Sequence, residues 1–84
     1  MSNEEKKDER SLEELTGERA ILNSFLEEHG RMIAATKAIK RRYPKLAESC
    51  DVIIAHLTVM VREDEEDRDE IEELIKNKQI RIPF

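Results

Sequence analysis

The residues whose side chains could bind a metal or move protons are few and scattered in this chain. It has two histidines, His29 and His56, and one cysteine, Cys50. In the helical hairpin derived below, the histidines lie within about a turn of each other, and such a pair can ligate zinc. A zinc site needs three or four protein ligands, so two imidazoles fall short. We predict no metal site and no cofactor. We expect both histidines to be partly buried and the cysteine to be a small core residue.

A dense acidic segment, residues 62–73, holds nine carboxylates and two arginines. A calcium loop of the EF-hand type requires a glycine at its sharp turn and oxygen ligands at fixed positions. The segment contains no glycine, which argues against calcium. It is predicted to be a solvated helix face or a loop before a short last helix. Docking onto the basic end of a second copy is an alternative role.

Catalysis requires a nucleophile, an acid or a base beside a group that activates it. No Ser–His–Asp or Cys–His arrangement can be argued from the two histidines and the cysteine. We therefore predict that the protein is not an enzyme.

Cations are concentrated in the middle of the chain, where residues 31–45 contain six and no acidic residue. Cations stabilise a helix C-terminus, which accounts for two or three of them. The excess indicates contact with phosphates or with an acidic protein surface. The predicted function is a non-enzymatic protein–protein interaction module, a small adaptor, regulator or assembly subunit that works through a helical bundle surface. The alternative is nucleic-acid binding, as in small RNA-binding four-helix bundles, with phosphate contacts and an aromatic ring for stacking. The predicted surface, here called the basic turn, consists of Lys37, Lys40, Arg41, Arg42, Tyr43 and Lys45.

The sequence ends in Ile82-Pro83-Phe84. These residues resemble the end of bacterial single-stranded-DNA-binding proteins, where a terminal Pro-Phe and its carboxylate dock into basic pockets on repair and replication enzymes. That family has an acidic run before its tail, whereas Lys78 and Arg81 precede it here, so the docking function is not carried over. Alternation predicts an extended tail over residues 78–84 that folds back onto the end of the bundle. Its packing residues would be Ile80, Ile82 and Phe84.

Two long helical patterns must position these residues. Ser11 and Glu14 form a capping box that starts the first helix, and residues 1–10 are predicted to be disordered or a frayed extension. Tyr43-Pro44 ends that helix, because proline disfavours helix at the preceding residue and suits the first turn of the next helix. The helices have similar lengths, so the sequence predicts an all-α antiparallel hairpin over residues 11–77.

Apolar residues in each pattern recur every seven residues in two stripes, and both stripes are predicted to be buried. In the first helix the stripes are Leu15, Leu22, His29, Thr36 and Tyr43, then Phe25, Met32, Ile39 and Leu46. In the second they are Leu46, Cys50, Ile53, Leu57 and Met60, with Ile54 and Val61 alongside. Gly30 either caps and ends the first helix or lies inside it. No N-cap residue follows, so we predict a continuous or kinked helix to Arg42.

Residues 52–61, the apolar run, contain eight apolar residues in a chain that is 42% charged. The run is half as long as a membrane span, which takes roughly 20 residues. The N-terminus lacks an apolar signal segment, so a cytoplasmic location with no membrane partner is expected. Several β-branched residues leave a buried strand as the alternative.

In the hairpin, the apolar run is predicted to face the small residues Gly30, Ala34 and Ala35. One helix covers only one side of the run, so we predict a homodimer that forms a four-helix bundle. A compact monomer in which Gly30 breaks the first helix is the alternative. The core or dimer surface would consist of Ile53, Ile54, Leu57, Val59, Met60 and Val61.

Overall fold

The computed structural model of the chain describes residues 9–80, with the backbone alone at Ile80. Two long helices, α1 (Leu12–Arg42) and α2 (Ala47–Ile80), are joined by a short 3-10 turn (Pro44–Leu46). Each helix packs against the other along its length, which confirms the all-α helical hairpin. The described residues contain no strand, so the strand interpretation of the apolar run is wrong.

The start of α1 is the predicted capping box. The backbone N–H of Glu14 donates to Ser11 Oγ at 3.0 Å, and the Ser11 N–H donates to Glu14 Oε1 at 2.8 Å. Two N–H groups that have no partner inside the helix are thereby satisfied. The prediction for residues 1–8 lies outside the described part of the chain.

The turn also follows from the sequence. The Tyr43 N–H donates to Ile39 O at 2.8 Å and closes α1, and Tyr43 itself leaves the helical conformation (φ −125°, ψ 81°). Pro44 then opens the 3-10 turn, where its missing N–H costs nothing. Lys40, Arg41 and Arg42 occupy the last turn of α1, the end that favours cations.

Gly30 lies inside an uninterrupted α1, which confirms the continuous helix. Its φ is negative, and a Cβ built on it would meet no atom within 4 Å apart from the local helix backbone. Neither a left-handed conformation nor close packing therefore requires glycine here.

Gly30→Ala is therefore expected to stabilise the protein by about 0.5–1 kcal/mol, because alanine loses less backbone freedom on folding. Urea unfolding followed by circular dichroism measures the change. The reciprocal Ala34→Gly, at another exposed position of α1, should lose a similar amount. A lower stability for Gly30→Ala would show that the glycine has a packing role.

Helix α2 runs without a break through the acidic segment, so that segment is helix and not a loop. It also continues past Asn77, so residues 78–80 are helical and do not begin an extended tail. Lysine and glutamine are good helix formers, and the described residues offer no neighbouring strand that would favour an extended chain. Ile82 and Phe84, predicted to pack on the bundle end, lie outside the described residues.

The hairpin is one layer thick. Its radius of gyration is 18.3 Å, whereas a compact chain of this length would have roughly 12 Å. Its smallest dimension is 14 Å, close to the diameter of a single helix with side chains, about 10–12 Å. Each helix therefore packs on one side only. Within residues 9–80, no helix is both long and apolar enough to cross a membrane.

Candidate interaction face

The surface where α1 and α2 meet, here called the seam, has a well-packed end and a polar middle. At the open end, away from the turn, Leu15, Ile71 and Ile75 form a buried cluster. Leu15 is fully buried. Three further leucines, Leu12, Leu22 and Leu74, pack against this cluster. The main apolar core is therefore the part of the hairpin farthest from the turn.

Polar groups interrupt the rest of the seam. His29 Nδ1 lies 2.9 Å from Asp64 Oδ2, and each side chain is only 16% exposed. The buried Thr36 hydroxyl donates to Met32 O at 2.7 Å within its own helix. Arg68 Nε is buried without a hydrogen-bond partner. This half of the seam therefore combines the cross-helix pair of His29 and Asp64 with the buried apolar residues Cys50 and Leu57.

The histidines do not form a pair. His29 is partly buried, as predicted, but it contacts Asp64, and His56 is exposed. The difference is one of helix face, since His29 lies in the seam whereas His56 is on an exposed side of α2. No cluster of three metal-ligating side chains occurs among residues 9–80. Cys50 is buried in the seam.

His29→Leu alone is expected to destabilise the hairpin by about 1–3 kcal/mol, because it leaves the half-buried Asp64 carboxylate without its partner. The double variant His29→Leu plus Asp64→Leu should regain most of that loss, since replacing a buried polar pair by apolar side chains is close to neutral. Chemical unfolding of both single variants and the double gives the coupling energy. Purely additive effects would show that the pair does not interact.

The second predicted stripe is not in the seam. Its six members are each between 42% and 48% exposed, although they were predicted to be buried. They recur every seven residues from one helix, through the turn, into the other. The surface they form, here called the apolar face, consists of Phe25, Met32, Ile39, Leu46, Ile53 and Met60.

The geometry of an antiparallel hairpin places this stripe on one side of the molecule. Met32 and Ile39 come three residues after the seam residues His29 and Thr36, and Ile53 and Met60 come three after Cys50 and Leu57. Three residues turn a helix by 300°, which sets these positions about 60° to one side of the seam residues. The helices are related by a pseudo-twofold axis perpendicular to the layer, so equivalent positions share one side.

The apolar run is divided between these two surfaces. Leu57 is buried in the seam, Ile54 and Val61 are half-buried, and Ile53 and Met60 lie on the apolar face. Val59 is 47% exposed, and its position on α2 directs it away from the seam. The prediction that the run packs on small residues is wrong, because Gly30, Ala34 and Ala35 are all exposed. They lie on sides of α1 that α2 does not reach.

The basic turn is exposed except at one residue. Lys40 is half-buried, and its Nζ lies 2.7 Å from Asp51 Oδ1 across the hairpin. Within the described part of the chain, the other four cations form no ion pair within 4.0 Å. Five of its six residues are therefore exposed, and Lys40 is paired within the hairpin. The remaining exposed members are Lys37, Arg41, Arg42, Tyr43 and Lys45.

Sequence reasoning found every residue of the apolar face but placed all of them in the buried stripes, and assigned only Ile53 and Met60 to a surface that could be either core or dimer contact. The signal that distinguishes the two stripes is that the seam stripe of α1 contains His29 and Thr36, whereas the outer stripe is entirely apolar. No protein-family model, curated protein or solved structure matches this chain.

Proposed function

We propose that this protein is a non-enzymatic protein–protein interaction module that works through its apolar face. The observation that carries the proposal is the exposure of six large apolar side chains on one side of a single-layer hairpin. A contiguous apolar surface of this kind marks an interaction site. Burying it contributes roughly 25 cal/mol for each Å² removed from water.

The first partner we propose is a second copy of the chain. Two hairpins stacked face to face form a four-helix bundle, in which each helix is covered on two sides. Two copies of this face can pair because its residues recur every seven positions along both helices. A twofold axis can then place the apolar face of one copy on the same face of the other. In this bundle the opposite sides of the hairpins, with Lys37 and Arg41 of the basic turn, stay available for a further partner.

Sedimentation equilibrium of the full chain tests this proposal. One chain has a mass of 9.9 kDa, so the expected species has about twice that mass at micromolar concentration. A mass that remains that of one chain up to high micromolar concentration would contradict the dimer. An adaptor role for the apolar face would then require a different protein.

Nucleic-acid binding through the basic turn is the second candidate, supported by its four cations without ion pairs. Phosphate contacts would give a shift of labelled RNA or DNA that weakens steeply with salt. Lys37→Glu plus Arg41→Glu should abolish such a shift and leave the mass of the protein unchanged, since neither residue is on the apolar face. Absence of a shift at low salt removes this candidate.

A further inference from the structure

We propose that the two hairpins of the dimer lie antiparallel, with the turn of one copy toward the open end of the other. This inference rests on the proposed dimer and adds its orientation. It follows from the distribution of charge along the apolar face.

The two ends of the apolar face have opposite charge. Near the turn, Arg42 comes three residues after Ile39, which sets it at the rim of the face. Toward the open end, Glu28 comes three residues after Phe25, and Glu63 comes three after Met60, so both acids take the equivalent rim position. All three side chains are exposed. Arg31 lies 2.9 Å from the Glu28 carboxylate and 3.4 Å from that of Glu27, so these three residues together keep one net negative charge. The rim therefore changes from basic to acidic along one hairpin.

Apolar packing alone does not select an orientation. When both turns lie at the same end of the dimer, each residue of the apolar face lies at the same position along the helix axes as the same residue of the second copy. In the antiparallel arrangement, the twofold axis runs across the helices at a level midway between Met32 and Ile39. It brings Phe25 of one copy to the same level along the helix axes as Leu46 of the second copy. Either orientation covers the stripe of both hairpins, so the rim charges decide.

The rim charges favour the antiparallel orientation. There α1 packs on α1 of the second copy, and Arg42 lies at the height of Glu28 of that copy, with the same contact repeated by symmetry. In the parallel orientation α1 packs on α2 of the second copy, and Glu28 lies at the height of Glu63 of that copy. Like charges at an interface disfavour that arrangement, and opposite charges favour the first.

A distance measurement tests the orientation. The protein carries a single spin label at Thr16→Cys, an exposed site near the open end, in a Cys50→Ala background. The antiparallel dimer should give a label-to-label distance of about 60 Å, because each label lies some 20 residues from the twofold axis at 1.5 Å per residue. A parallel dimer would give a distance within the bundle width, roughly 20–30 Å.

Charge reversal gives a second readout with opposite signs for the two orientations. Glu28→Arg should raise the dimer dissociation constant several-fold in the antiparallel dimer, because it then meets Arg42 of the second copy, and Arg42→Glu in the same chain should restore it. In a parallel dimer, Glu28→Arg would meet Glu63 and tighten association. A short label distance together with tightening overturns the orientation but leaves the dimer intact, whereas a protein that stays monomeric overturns the proposed function itself.

Discussion

Met32→Asp is expected to convert the proposed dimer to monomers. Met32 lies in the middle of the apolar face, where the second copy would exclude water from it. Burying a carboxylate without a partner costs several kcal/mol, and a symmetric dimer buries two. Each 1.4 kcal/mol is a factor of ten in affinity, so the dissociation constant should rise by at least about 100-fold. Sedimentation equilibrium over a range of chain concentrations measures it.

Ala34→Asp is the matched control. It places the same charge on the same helix two residues away, at an exposed position off the apolar face. Its dissociation constant should stay within a few-fold of that of the unmodified chain, since exposed substitutions away from contacts change little. Equal weakening by both variants would mean that charge or helix propensity, not the apolar face, controls association.

Leu15→Ala is expected to have the largest effect on folding. Leu15 is fully buried against Ile71 and Ile75, in the main apolar cluster of the hairpin. Removing a buried leucine costs about 2–5 kcal/mol, counting the lost transfer energy and the cavity. A chain of this size has only about 5 kcal/mol of stability to lose, so the variant should be largely unfolded at 37 °C. Circular dichroism and urea titration report the loss.

Ile21→Ala is the comparison for that prediction. Ile21 is also a large apolar residue of α1 near the open end, but its side chain is 55% exposed. Its truncation should cost less than about 1 kcal/mol, because little apolar area returns to water. A similar cost for both truncations would contradict the position of the core at the open end.

The helices and their boundaries could be predicted because local chemistry determines them. Ser11 and Glu14 supply the cap, and Tyr43-Pro44 cannot continue a helix. At the C-terminal end, alternating apolar residues predict an extended segment after Asn77, whereas α2 continues to Ile80. Of the three alternating residues, Ile80 alone lies in the described part of the chain, where it continues the helix through Lys78 and Gln79.

Which stripe faces the other helix could not be predicted. Phe25, Met32 and Ile39 recur with the same period as Leu15, Leu22 and His29, so periodicity alone cannot rank them. The chain places the stripe containing His29 and Thr36 in its own seam, where Asp64 and a backbone carbonyl satisfy their polar groups. The fully apolar stripe is left outside. That distribution is expected when a stripe is covered by another chain.

In the proposed dimer, one hairpin is half of the folded unit. Its seam has an apolar core at one end and polar contacts elsewhere, and its most apolar surface is half-exposed. Dimerisation would add the missing apolar burial, so folding and association should occur as one transition. The stability of such a protein depends on its own concentration.

The thermal unfolding midpoint as a function of chain concentration tests this claim most directly. If two chains fold together, a 100-fold increase in concentration should raise the midpoint by about 10 °C, given an unfolding enthalpy of about 0.7 kcal/mol per residue over both hairpins. A reversible two-state transition whose midpoint is the same at every concentration would contradict the claim, because the hairpin would then fold without a second copy.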